Sequence, residues 1–186
     1  LRYERVEIPP NAFASALAEF VAAGGRGMSI TVPLKEEAFR ELSQHRPRAA
    51  LTGAANMMTV AADGSTIADN ADGTGLVRDL EMNHGLMLRG RRILLLGAGG
   101  AARGVIPTLL EQDPSELIIA NRTVVKAEQL VDRFRALGSI RAFHYAGVPV
   151  GPFDLVINAT SLSLTGEIPP LNTSAIGTET GCYDMM

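Results

Sequence analysis

The run Ile93-Leu94-Leu95-Leu96-Gly97-Ala98-Gly99-Gly100-Ala101-Ala102 constrains this chain more than any other stretch. An apolar strand breaks into a glycine turn, and a helix-like segment follows at once. Such a turn lets backbone N–H groups approach a phosphate that a Cβ would hold off, and a helix N-terminus adds partial positive charge. A G-x-G-x-x-A string alone also fits a tight strand-to-helix corner that binds nothing. Its place at the head of a βαβ unit makes it a dinucleotide signal.

From Arg91 onward the texture is strand-helix alternation. Strand 92–96 leads to helix 100–112, strand 116–120 to helix 123–137, and further strands lie at 140–145, 153–157 and 181–185. Regular βα alternation predicts a parallel sheet with right-handed crossovers. The first half is different. A helix capped by Asn11 carries an apolar stripe of Phe13, Ala16, Leu17, Phe20 and Val21 and ends at Gly24-Gly25. A strand spans Gly27 to Val32, short helices start at Lys35 and near Pro47, and two strands flank an Asp63-Gly64 turn as a hairpin. Asp72 to Leu88 reads as one long helix, which sets a domain boundary at Leu88-Arg89-Gly90. The fold class expected is α/β, a Rossmann-type doubly wound parallel sheet (89–186) preceded by a smaller, incomplete α/β substrate domain (1–88).

The end of the second strand decides which dinucleotide fits. Asn121-Arg122-Thr123 begins 22 positions after Gly99, with Lys126 one turn on. A fold that binds NAD would place an acid here, on the ribose 2′-hydroxyl. Arg122 and Lys126 instead suit a dianionic 2′-phosphate, and cations at a helix N-terminus are unfavourable without an anion beside them. The sequence therefore favours NADP, with a solvated helix start as the alternative. Asn158-Ala159-Thr160-Ser161 lies at the carboxyl end of a strand, where open parallel sheets bind ligands.

Two segments of the first half look chemical: Ser29-Ile30-Thr31-Val32-Pro33-Leu34-Lys35 and Asp69-Asn70-Ala71-Asp72-Gly73. Lys35 reads as a surface lysine and Asp72 as an N-cap when each is taken alone. Together they suggest a proton-transfer pair of the kind that carbonyl reduction requires. Asn56 could hydrogen-bond substrate hydroxyls or serve as a turn residue.

What the chain lacks narrows the class further. A net charge of −3 with no basic block argues against nucleic acid as a partner. The single Cys182 excludes an internal disulfide, and His45, His84 and His144 have no metal spacing, so no metal is expected. Without a charged-then-apolar leader or a span near 18 apolar residues, no membrane partner is expected and the reading is cytoplasmic.

These pieces, in this order, resemble shikimate dehydrogenase. The stretches that carry the resemblance are Thr31 to Phe39, Gly53-Ala54-Ala55-Asn56, Asp69 to Gly73, Gly97 to Ala101, Asn121-Arg122-Thr123, Asn158 to Ser161 and Cys182-Tyr183-Asp184-Met185. The resemblance implies reversible NADPH-dependent reduction of 3-dehydroshikimate to shikimate, in aromatic amino-acid biosynthesis. It implies that Lys35 is the acid/base and Asp72 its partner, and that Thr31 and Asn56 bind substrate hydroxyls. Gly97, Ala98, Gly99, Gly100 and Ala101 would hold pyrophosphate. Asn121, Arg122, Thr123 and Lys126 would hold the 2′-phosphate, and Thr160, Ser161 and Met185 would line the nicotinamide side. The chain departs from the family pattern at Ala71, where a threonine is usual, and at Met57, where a threonine usually comes after the asparagine. The family also has a leading strand with a carboxylate-gripping serine loop and a trailing helix with a substrate glutamine, so the resemblance implies missing ends. Two further readings stay open: an NADP-binding but catalytically inactive remnant, and a quinate/shikimate dehydrogenase of broader range. The assembly expected is a monomer or homodimer.

Overall fold

The computed structural model describes residues 2–162 and 166–185. The chain divides into two compact units, Leu1–Ala71 and Asp72–Met186.

The first unit opens with α1 (Phe13–Ala22), followed by β1 (Gly27–Ser29), α2 (Lys35–Glu41), β2 (Gln44–His45), α3 (Pro47–Thr52), β3 (Met57–Val60) and β4 (Thr66–Asp69). Its four strands run in the order β1-β3-β4-β2, with β3 antiparallel to both β1 and β4 and β2 parallel to β4. Phe13 and Leu17 of α1, Ala38 of α2, Ala49 of α3, Met58 and Ala68 form its core with Ile30, Leu34, Leu42 and Ala55. The hairpin expected at Asp63-Gly64 is present, Asp63 Oδ1 accepting from the Ser65 N–H and hydroxyl. Asn11 does not cap α1, which begins after Ala12 with no local side-chain cap. Glu37 of α2 takes that role, its two oxygens accepting the Asn11 and Phe13 N–H groups at 3.0 Å each. The strand expected over Gly27 to Val32 stops at Ser29, because the chain turns where the Leu34 N–H donates to the Thr31 carbonyl.

The second unit begins with α4 (Asp72–Arg78), which continues as a π-helical turn over Asp79–Asn83. The single helix expected from Asp72 to Leu88 therefore ends early. Gly85 adopts a left-handed φ of 66°, and the Leu86 N–H reaches back to the Leu80 carbonyl, a glycine-terminated helix stop. Helix α4 buries Leu76 and Val77, with Leu80 beyond it, in one core with Val105, Ile106 and Leu109. For that reason the division falls at Asp72 rather than at Leu88-Arg89-Gly90.

The remaining elements are β5 (Arg92–Leu96), α5 (Gly100–Glu111), β6 (Glu116–Ala120), α6 (Val124–Phe134), β7 (Ile140–Phe143), β8 (Leu155–Asn158) and β9 (Gly181–Asp184). All five strands are parallel in the order β7-β6-β5-β8-β9. Alternate residues serve opposite faces, as strand geometry requires. Ile93, Leu95, Leu117 and Ile119 pack with α4, α5 and α6 on one face, and Leu94, Leu96 and Ile118 pack with Tyr145, Val148 and Phe153 on the other. The chain runs outward from β5 to β7 and then returns to β8 on the opposite flank of β5. That reversal makes the carboxyl ends of β5 and β8 a topological switch point, where such sheets bind ligands.

Candidate functional site

Within the first unit, backbone hydrogen bonds gather the residues singled out as chemical. The Ile30 N–H donates to the Asn56 carbonyl (2.8 Å) and the Asn56 N–H to the Asp69 carbonyl (3.1 Å). The Ala55 N–H donates to the carbonyl of Lys35 at 2.8 Å, which holds the start of α2 against the start of β3. Thr31, Lys35 and Asn56 thus stand on neighbouring strand and helix ends. Thr31 is exposed, while Lys35 and Asn56 are half-buried.

Asn56 has a backbone role that the sequence does not reveal. Its Oδ1 accepts the Ala71 N–H at 3.0 Å and fixes the chain one residue before Asp72. Asn70, buried to 2% exposure, donates from Nδ2 to the Ala54 carbonyl. Asp69 is clamped by Arg48, whose Nε and Nη2 donate to its two oxygens at 3.2 and 2.7 Å. That guanidinium holds the Asp69 carboxyl below its ordinary range, and burial opposes the shift. Four successive residues, Asp69 to Asp72, are therefore set by partners outside their own segment or, for Asp72, by opening a helix.

In the second unit the glycine turn packs against the turn after β8. Gly97 adopts φ +106°, and a Cβ there would lie 3.0 Å from the Ala159 carbonyl oxygen and 3.2 Å from Thr160 Cγ2. Gly99 differs: its surroundings are open to 4 Å, so a close-approaching group has room. The first intrahelical bond of α5 runs from Arg103 N–H to the Gly99 carbonyl. The amides of Gly100, Ala101 and Ala102 thus lie ahead of the ladder, the position from which helix N-termini bind anions.

Across from this turn, Ala98, Gly99, Asn121, Arg122, Thr123 and Lys126 line one open groove of about 160 Å³. Asn121 Nδ2 donates to the Thr123 carbonyl at 2.9 Å and shapes the loop, leaving Arg122 and Lys126 on the exposed rim. No acid occupies the first turn of α6, and among the described residues neither Arg122 nor Lys126 makes an ion pair. Two cations beside a helix N-terminus that carries no acid make a site suited to a multiply charged anion.

At the end of β8, Asn158 organises the turn beyond the strand. Its Oδ1 accepts the Thr160 N–H (3.1 Å) and hydroxyl (2.7 Å), and its Nδ2 donates to Asp184 Oδ2 at 3.2 Å. Its carbonyl accepts the Met185 N–H. Thr160 and Met185 are half-buried and Ser161 is exposed. The Asn-x-Thr string signals the local turn. Its link to β9 is beyond sequence reading, since that needs the strand order.

Two family models match: "Shikimate / quinate 5-dehydrogenase" over residues 80–165 and "Shikimate dehydrogenase substrate binding domain" over residues 1–58. The chain is 48% identical over its whole length to shikimate dehydrogenase (NADP(+)) of Alkalilimnicola ehrlichii and 49% identical to that of Aeromonas salmonicida, covering 68% and 67% of those proteins. Among solved structures it resembles an Ael1 enzyme from Pseudomonas putida (42% identity, TM-score 0.81, 96% of this chain and 65% of that one). It also resembles shikimate 5-dehydrogenase from Thermus thermophilus in complex with NADP(H) and shikimate (30% identity, TM-score 0.77, 95% and 64%). The chain thus spans about two thirds of the length of the relatives it matches.

Proposed function

The chain belongs to the shikimate dehydrogenase family, and from that premise we propose that it carries out the reversible, NADP-dependent reduction of 3-dehydroshikimate to shikimate. The groove of Ala98, Gly99, Arg122 and Lys126 fits the cofactor, because its open glycine and acid-free cations answer a pyrophosphate and a 2′-phosphate. In this reading Gly97 to Ala101 hold the pyrophosphate, Asn121 to Thr123 with Lys126 hold the 2′-phosphate, and Thr160, Ser161 and Met185 face the nicotinamide. Bound NADPH supplies the hydride.

The chain's own residues manage the proton. Lys35 Nζ delivers it to the substrate carbonyl oxygen in reduction and accepts it from the hydroxyl in oxidation, with the Asp72 carboxylate as its partner. Thr31 and Asn56 hold substrate hydroxyls. The observation that carries this reading is the hydrogen-bonded set joining Lys35, Ala55, Asn56 and Ala71, which fixes the backbone around a lysine, an amide and the residue before an aspartate. Ala71 does not interrupt that set, since only its N–H takes part.

The test is NADPH formation from NADP and shikimate by the full chain. Turnover supports the proposal, and NADP binding without turnover on shikimate or quinate overturns it. Comparing the two acids measures how the site receives the extra hydroxyl of quinate, which must find a partner if it is buried.

A further inference from the structure

Tyr183 lies 104 residues from Asp79, yet its hydroxyl donates to Asp79 Oδ2 at 2.8 Å. The half-buried ring of Tyr183 packs on the core shared with α4 and α5, so the bond sits at the edge of an ordered interior. Asp79 is equally fixed from its own side: Asn83 Nδ2 donates to its Oδ1 at 2.6 Å, and His84 Nε2 stands 3.6 Å from Oδ2. All of this occurs where α4 widens into a π-helical turn, an irregularity that recurs at functional sites in helices.

The two ends of this connection give it a meaning. Asp79 begins the π-helical turn that continues α4, and Asp72 opens α4 about 10 Å away along the axis at 1.5 Å per residue. Tyr183 is the third residue of β9 and stands two positions before Met185, whose N–H is bonded to the Asn158 carbonyl. A continuous path therefore runs from Asp72 through α4, Asp79 and Tyr183 to Met185, inside the second unit.

We propose that Tyr183 and Asp79 are positioning residues for hydride transfer, their hydrogen bond setting the strand that leads directly into Met185 against the helix that carries Asp72. This rests on the proposed function, in which Asp72 serves the substrate and Met185 the nicotinamide. Hydride transfer needs reacting atoms about 3–3.5 Å apart, and a 1 Å misplacement can cost about a hundredfold in rate. Neither residue touches substrate or cofactor in this account. Both act through Asp72 and Met185.

The experiment compares the full chain with Tyr183→Phe, Asp79→Leu and Asp79→Asn by steady-state kinetics and by amide hydrogen exchange of residues 181–185 without cofactor. Tyr183→Phe is expected to lower kcat about tenfold, to leave KM for shikimate within about threefold, and to speed exchange at Met185 at least tenfold. Asp79→Leu is expected to do the same, and Asp79→Asn, which keeps an acceptor for the tyrosine hydroxyl, to restore most of the loss. Unchanged kcat in Tyr183→Phe, or equal losses in Asp79→Asn and Asp79→Leu, overturns the proposal. Unchanged exchange at 181–185 overturns it also if the parent chain shows no turnover, a result that separately removes the dehydrogenase reading.

Discussion

Gly97 and Ala159 approach so closely that a single methyl on Gly97 would lie 3.0 Å from the Ala159 carbonyl oxygen, at a φ of +106° that L-residues rarely adopt. Gly99, two residues on, has an ordinary φ of −93° and open space around it. The two glycines should therefore fail in different ways. Gly97→Ala is expected to cost stability, on the order of 1–3 kcal/mol from backbone strain, read as a lower urea midpoint. Gly99→Ala is expected to keep that midpoint and to weaken NADP binding at least tenfold by calorimetry, because its Cβ enters the space of the approaching phosphate. A loss of midpoint in Gly99→Ala with NADP affinity intact would contradict the assignment.

Gly73 and Thr108 set the closeness of α4 to α5. A Cβ on Gly73 would fall 2.4 Å from Thr108 Oγ1, 2.8 Å from its Cβ and 3.1 Å from the Gly104 carbonyl oxygen. Neither a branched side chain nor a helix backbone can yield cheaply, and overpacking of this kind costs about 1–3 kcal/mol. Gly73→Ala is thus expected to lower Tm by several degrees, with partial recovery in the double variant Gly73→Ala/Thr108→Ala. A Tm equal to that of the parent would mean that the helices separate without cost.

The Asp69–Arg48 clamp predicts a pH dependence. Asp69 has a depressed folded pKa, so its contribution is complete above the ordinary aspartate value of 3.8 and is lost as pH falls through the lower folded value. Thermal melts of the parent and of Asp69→Asn should differ most well above the ordinary aspartate value of 3.8, near about pH 6, and converge as the solution is acidified below that value. A gap that widens on acidification would reverse the sign and exclude the ion pair as its cause.

Local patterns made much of the second unit readable. Runs of four apolar residues, Ile93–Leu96 and Leu117–Ala120, each entered from a charged residue and followed by a helical stripe, leave little choice but parallel strands, and both strands, Arg92–Leu96 and Glu116–Ala120, fall where the sequence puts them. Errors arise where a distant partner decides. Asn11 is a good capping residue on paper, but Glu37 supplies the cap from another helix. The 72–88 stretch keeps its apolar period past Asn83, and only the left-handed Gly85 shows that the helix has stopped. For the candidate site, residue types at strand ends were legible because they sit beside glycine and proline punctuation. Asn56 Oδ1 on Ala71, Asn158 on Asp184 and Tyr183 on Asp79 are long-range pairings with no local signature.

Arg122 and Lys126 should separate the two nicotinamide dinucleotides. Hydrogen bonds to charged groups contribute about 1.5–3 kcal/mol, roughly a tenfold to hundredfold change in affinity. Arg122→Ala is expected to weaken NADP by that factor and to leave NAD within about threefold, measured by direct titration at fixed salt. Equal losses for both dinucleotides would place the guanidinium on a part they share.

Lys35 gives the sharpest kinetic expectation. It is the first residue of α2, and its backbone carbonyl holds Ala55 whatever the side chain, so Lys35→Ala should keep the fold and the urea midpoint. NADP affinity should also persist, because the residues proposed for that groove all lie beyond Gly97. Turnover should fall about 10²–10⁴-fold, the usual contribution of a positioned acid or base. Lys35→Arg should not recover it, since a guanidinium holds its proton above about pH 12 and cannot act as the base in shikimate oxidation. Full turnover in either variant would take the proton from Lys35 and require another donor.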